Sequence, residues 1–152
     1  MPAMTEKYLL WRLWFLRGIL KLSRTIDSNM KKILFVEDDD NFSDIVMTIL
    51  RKDGFEVVLA KDGEEGLNLV KTEKPDLVLL DLVMPRMDGF DFLKYLRSME
   101  GIPWIPVIVF TGQADAATFD KATRLGCQGY LVKTEIDKHT LKDKLNEFLP
   151  KS

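Results

Sequence analysis

Five short apolar runs, each followed by a stretch with helical periodicity, constrain this chain more than any other feature. Ile33–Val36 is a continuous run of β-branched, leucine and aromatic residues, the pattern of a buried strand. Phe42, Ile45, Val46, Ile49 and Leu50 then recur at helix spacing, and Gly54 stops the helix. Phe55–Ala60 is a second strand. Asp62 caps the next helix, with Glu65 placed to complete a capping box, and Pro75 closes the connection. Leu77–Leu80 is a third strand, and Asp88 caps a helix carrying Phe90, Leu93 and Leu96. Pro106–Phe110 and Tyr130–Val132 are the fourth and fifth strands, separated by an alanine-rich helix over 114–125. Leu141, Leu145, Phe148 and Leu149 form the stripe of a last helix.

Strands that are apolar throughout are covered on both faces, and strand–helix alternation implies parallel pairing through right-handed crossovers. The expected fold is α/β, a doubly wound five-stranded parallel sheet, flavodoxin-like with strand order 2-1-3-4-5. The chain has 152 residues, 46% hydrophobic and 30% charged, which suits one packed domain. Its single cysteine, Cys127, excludes an internal disulfide, and its single histidine, His139, excludes a multi-histidine metal site. No basic excess accompanies the net charge of −2, so direct nucleic-acid binding is not expected.

That total averages two unlike regions. Residues 1–29 hold five basic and two acidic groups, a balance of +3; the other 123 hold 17 basic and 22 acidic, a balance of −5. On a helix over residues 8–26, Trp11, Phe15, Ile19, Leu22 and Ile26 share one face, and Arg17, Lys21 and Arg24 lie opposite. Arg12 interrupts the apolar face, and Leu10 and Trp14 the polar one. Charges break every run short of the roughly 18 apolar residues a membrane span needs, and no signal-peptide cleavage site is present. A cytoplasmic protein is expected. The N-terminal helical extension, residues 1–29, has three readings: an interfacial helix in membrane contact, a docking helix, or an upstream extension without evolved function, since Met30 makes a natural start. The domain is 30–152. The chain stops three residues past Leu149, so a stand-alone domain with no output region is expected.

In a doubly wound sheet the site is the crevice at the carboxyl ends of the strands. Those ends read Glu37-Asp38-Asp39, Asp81, Thr111-Gly112 and Lys133. Clustered carboxylates repel unless a cation lies among them, and an all-oxygen set favours Mg²⁺. A carboxylate beside Mg²⁺, a lysine and a hydroxyl is suited to accept a phosphoryl group. No P-loop motif is present, so a bound nucleotide is not implied. Asp39, Asp40 and Asp44 are read instead as helix caps or solvated charges.

Several stretches carry a family resemblance: Lys32-Ile33-Leu34-Phe35-Val36-Glu37-Asp38-Asp39, Pro75 through Gly89 with Asp81 at its centre, Pro106 through Gly112, and Gly129-Tyr130-Leu131-Val132-Lys133. Together they resemble the receiver (CheY-like) domain of bacterial two-component response regulators, over residues 31–149. The resemblance implies that Asp81 is the phosphoacceptor, and that Asp38, with Glu37 acting through water, Asp81 and the Val83 backbone carbonyl, hold Mg²⁺. It implies that Thr111 is the switch hydroxyl, Lys133 the phosphate-pairing lysine and Tyr130 the aromatic that moves on activation. Gly112 leaves room for the phosphoryl group, and Val83 and Gln113 sit where the family tunes its lifetime. The implied partners are a sensor histidine kinase or phosphotransfer protein and a downstream protein target. Such a domain is not an enzyme beyond its own phosphorylation and dephosphorylation.

One departure is Thr134, where the family usually has a proline, often in a cis bond. A trans bond is expected here, because cis costs a non-proline residue about 3 kcal/mol, and the loop before the last helix should differ. Two other functions compete with this one. The first is a phosphorylation-independent adaptor acting through the N-terminal helix. The second is a Mg²⁺-dependent aspartyl phosphatase, disfavoured because Val83 stands where such enzymes place a second aspartate. Among the remaining residues, Cys127 is read as a small core filler and His139 as a solvated residue early in the last helix. Trp104 is expected to pack at the entrance of strand four, and Lys138, Lys142 and Lys144 to form a solvated helix face.

Overall fold

A computed structural model describes residues 29–151. The N-terminal helix expected over 8–26 lies outside the described residues. Five strands, β1 (Lys32–Val36), β2 (Glu56–Ala60), β3 (Leu77–Leu80), β4 (Val107–Thr111) and β5 (Gly129–Val132), form one sheet of order β2-β1-β3-β4-β5. Every pairing is parallel. Five helices alternate with them: α1 (Asp40–Lys52), α2 (Gly63–Glu73), α3 (Gly89–Ser98), α4 (Ala116–Arg124) and α5 (Leu141–Phe148). This is the doubly wound, flavodoxin-like architecture expected from the sequence.

Successive strand residues point to opposite faces, and both faces are covered. Leu34, Val36, Val78, Leu80, Val107 and Val109 pack against Val70 of α2, Phe92, Leu93 and Leu96 of α3 and Ala122 of α4. Ile33, Phe35, Leu77, Leu79, Ile108, Phe110 and Leu131 pack against Val46 and Leu50 of α1 and Leu141 and Leu145 of α5. The central strands β1 (from Ile33), β3 and β4 therefore lack a polar alternation because neither face meets water, whereas the edge strands β2 and β5 stay partly exposed.

Aspartates set four helix starts. Asp39, Asp62, Asp88 and Asp115 each accept the backbone N–H three residues on, at 2.9 Å in every case. Asp115 thus delays α4 to Ala116, two residues later than its alanine-rich pattern suggested. At α2 the capping box closes one residue early, with Lys61 N–H donating to Glu65 Oε2 at 2.8 Å. Gly54 follows α1 at φ 94°, a conformation that favours glycine.

Three local expectations fare differently. Trp104 does not pack at the entrance of β4; it is 66% exposed. That entrance is closed by buried Ile105, whose carbonyl accepts Arg97 Nη1 at 2.8 Å, and the Trp104 ring is left outside, over the guanidinium. His139 precedes α5 rather than lying in it, and is exposed together with Lys138, Lys142 and Lys144. Cys127 is buried in the core, as expected of a small filler. No cis peptide bond occurs among the described residues, so Lys133–Thr134 is trans. None of their helices is long and apolar enough to cross a membrane.

Candidate functional site

The topology brings four strand ends to one edge. Glu37 follows β1, Asp81 follows β3, Thr111 ends β4 and Lys133 follows β5. Backbone ladders run past the strands to hold these positions. Glu37 N–H donates to Ala60 O at 2.9 Å, Asp81 N–H to Val36 O at 3.0 Å, and Lys133 N–H to Thr111 O at 2.8 Å. Glu37, Asp38, Asp39, Asp81, Val83, Thr111, Gly112, Gln113 and Lys133 line one open cleft. A larger concavity, lined by Val70, Lys74, Pro75, Trp104 and Ile105, lies at the amino ends of the strands, away from these groups.

Lys133 is the electrostatic hub. Its Nζ is 2.5 Å from Glu37 Oε2 and 3.4 Å from Asp81 Oδ2. Glu37 Oε1 accepts the N–H of Asp39 at 3.1 Å. Asp81 Oδ1 accepts only a long contact from Val83 N–H, at 3.4 Å. Glu37 is 1% exposed, and Asp81 and Thr111 are also buried, whereas Asp38 is exposed. Burial pushes the Glu37 carboxyl above its ordinary value; the Lys133 hydrogen bond opposes that, and the charge of Asp81 adds to it.

One ammonium thus pairs with Glu37 and Asp81, and Asp38 adds a third carboxylate to the cluster. Glu37, Asp38 and Asp81 each offer an oxygen, all within 4.8 Å of one another. Hard oxygen donors with an excess of negative charge fit a small divalent cation. Thr111 also lines the cleft, and its hydroxyl accepts the N–H of Gln113 at 3.5 Å. Tyr130 is not among the residues lining the cleft, and its hydroxyl donates to Gln113 O at 2.7 Å. The β4–α4 loop therefore has contacts to both Thr111 and Tyr130. Val83 lines the cleft with its side chain 59% exposed.

Every residue named from the sequence except Tyr130 lies in this cleft, and Tyr130 touches its wall through Gln113. Two residues contribute more than the sequence suggests, where Gly89 only marks a loop and ends a resembling stretch and Phe42 only belongs to a helix stripe. Gly89 begins α3 against the loop that follows Asp81; a Cβ there would lie 2.5 Å from Asp81 O and 2.7 Å from Leu82 Cα. Its place just after the capping Asp88 was the available signal. Phe42 was read only as part of the α1 stripe, yet its ring centroid is 4.2 Å from Lys133 Nζ.

Known proteins share this fold. The chain belongs to the response regulator receiver domain family, whose model matches residues 33–146. It is 40% identical over 108 residues to the probable transcriptional regulator ycf27 of Cyanophora paradoxa, covering 71% of this chain and 44% of that protein. It is 36% identical over 105 residues to the alkaline phosphatase synthesis transcriptional regulatory protein PhoP of Bacillus subtilis, covering 68% and 42%. The DNA-binding response regulator MtrA of Mycolicibacterium smegmatis is 32% identical over 71% of this chain and 46% of its own. Among solved structures, the chemotaxis protein CheY4 of Vibrio cholerae superposes with a TM-score of 0.73 at 30% identity, over 79% of this chain and 99% of that one. The BeF3-activated receiver domain of Klebsiella pneumoniae RstA gives 0.72 at 30%, over 80% and 100%.

The chain spans less than half the length of these curated relatives. That overturns one expectation. Direct nucleic-acid binding was excluded from the charge balance, but relatives sharing this receiver are transcriptional and DNA-binding regulators. The net charge of a segment constrains only that segment, so the exclusion does not hold. Fold, site and family together define a receiver, a signalling domain with an acidic cluster at its switch-point crevice.

Proposed function

We propose that this receiver accepts a phosphoryl group on Asp81 from the phosphohistidine of a sensor histidine kinase or phosphotransfer protein, in a Mg²⁺-dependent step. The observation that carries the reading is the convergence of Asp81, Lys133 and Thr111 from three separate strand ends, with Glu37 and Asp38 beside them. Glu37, Asp38, Asp81 and the backbone carbonyl of Val83 would hold the metal. When bound, it neutralises carboxylate charge and steadies the phosphoryl oxygens.

A carboxylate oxygen of Asp81 attacks phosphorus and the P–N bond breaks, its electron pair staying on the donor ring; the phosphohistidine, protonated on its other ring nitrogen, leaves as neutral imidazole. An acyl phosphate results. Asp81 is prepared for this by having few competing donors: a long contact from Val83 and the Lys133 ammonium. Lys133 then exchanges carboxylate for phosphoryl oxygens, a short movement from 3.4 Å. The Thr111 hydroxyl turns toward the phosphoryl group. Because Gln113 contacts both Thr111 and Tyr130, that turn is felt at the Tyr130 hydroxyl. The altered face around Tyr130 biases contact with a protein target, an output region as in the transcriptional relatives or a separate partner. Residues 30–152 make up the receiver, with residues 1–29 a separate extension.

Incubation with a small acyl phosphate and Mg²⁺, followed by intact mass, tests the reading. A gain of roughly 80 Da that Asp81→Ala abolishes is expected. No gain, or a gain that survives in Asp81→Ala, rejects it.

A further inference from the structure

Lys133 has a partner that is neither carboxylate nor carbonyl. Its ammonium lies 4.2 Å from the centroid of the Phe42 ring, on a side chain only 19% exposed. The backbone that carries the ring is held at the start of α1. Phe42 N–H donates to Asp39 Oδ1 at 2.9 Å, and Asp39 N–H donates to Glu37 Oε1 at 3.1 Å. One helix turn therefore places both the ring and the carboxylate that share the ammonium. Phe42 also meets Phe110 at 5.5 Å and Phe35 at 6.4 Å, and Phe110 is the residue before Thr111.

We infer that Phe42 is a positioning residue for the Asp81 site: its ring face holds the Lys133 ammonium where an arriving phosphoryl group needs it. The inference rests on Asp81 being the acceptor. The negative face of an aromatic ring attracts a cation, more strongly where water is partly excluded. A lysine stem is flexible, and ordering it costs entropy that a fixed partner offsets. Glu37 is an unreliable partner for this purpose, because it also belongs to the oxygen cluster suited to a divalent cation. The ring has no such competing duty. Leucine would serve the α1 stripe equally well but would leave that side of the ammonium without an electrostatic partner. A charge already in place reaches the phosphoryl oxygens without reorganisation.

The test uses the full chain with phenylalanines of increasing fluorination at position 42, and Phe42→Leu. Fluorine drains the ring face of negative potential while keeping its shape. The rate of adduct formation with a small acyl phosphate should fall stepwise, by about three- to tenfold at full fluorination, with melting temperature unchanged across the series. Independently of any phosphodonor, the Lys133 ε-methylene proton resonances should lie upfield in the native chain through the ring current, and move back in Phe42→Leu. A rate indifferent to fluorination, or ε-methylene resonances indifferent to Phe42→Leu, overturns the inference. A native chain that takes no phosphoryl group instead rejects the Asp81 reading, and the role with it, while the resonance still reports whether the contact exists.

Discussion

Glu37 carries its charge where the fold disfavours it. Burial raises its carboxyl above the ordinary value of 4.5, Lys133 opposes the rise, and the charge of Asp81 reinforces it. With the folded value above the unfolded one, the native state binds the proton more tightly, so stability falls as pH rises through the window above 4.5. Glu37→Gln removes that dependence. In divalent-free buffer, urea melts should show Glu37→Gln gaining on the native chain as pH increases; a native chain that gains instead contradicts the account. Lys133→Met removes the only ammonium found at the carboxylates among the described residues. It should slow adduct formation on Asp81 by about 100-fold, as loss of one preorganised donor does elsewhere. Asp81, Thr111 and Lys133 were legible because parallel strands end together, so strand-end residues converge wherever the strand order is known. The Lys133–Phe42 contact was not, since helical periodicity tells which face a residue occupies but not what lies across from it.

At the scale of elements, the junction between β3 and α3 is the tightest point of the site. Gly89 N–H donates to Leu82 O at 3.0 Å, and a Cβ at Gly89 would meet backbone rather than a yielding side chain. Gly89→Ala should cost about 1–3 kcal/mol in urea denaturation, the range for overpacking, and should disturb the loop that carries Asp81. Gly112→Ala is the matched control, because a Cβ there meets nothing within 4 Å and stability should hardly change. Helix starts at Asp62 and Asp88 followed from the chemistry of capping, and the structure bears them out; Asp39, open in the sequence between cap and solvated charge, is a cap. The start of α4 was misplaced because alanines extend a helical pattern past the aspartate that interrupts it. Trp104 was misplaced for a different reason. Residue type favours burial, but Arg97 occupies the place beneath it, bonded to the carbonyls of Ile105 and Gly126.

For the whole molecule, strand order was legible because five apolar runs with helical crossovers leave few topologies of the right hand. The nature of the output was not, because a charge balance summed over one segment carries no information about the rest of a regulator. Mg²⁺ should stabilise the native chain by mass action, about 2.7 kcal/mol at one hundred times its dissociation constant, raising the melting temperature. Asp38→Asn should blunt that rise without unfolding the chain, since Asp38 is exposed and lies outside both cores. A chain starting at Met30 should form the adduct at the full-length rate if residues 1–29 are a separate extension. The most direct test of the central claim is the position of the phosphoryl group. After phosphorylation, borohydride reduces an aspartyl phosphate to homoserine, and peptide mass mapping locates the converted residue. The account predicts homoserine at position 81 and nowhere else; conversion at another carboxylate, or none in a chain that has gained the phosphoryl mass, would contradict it.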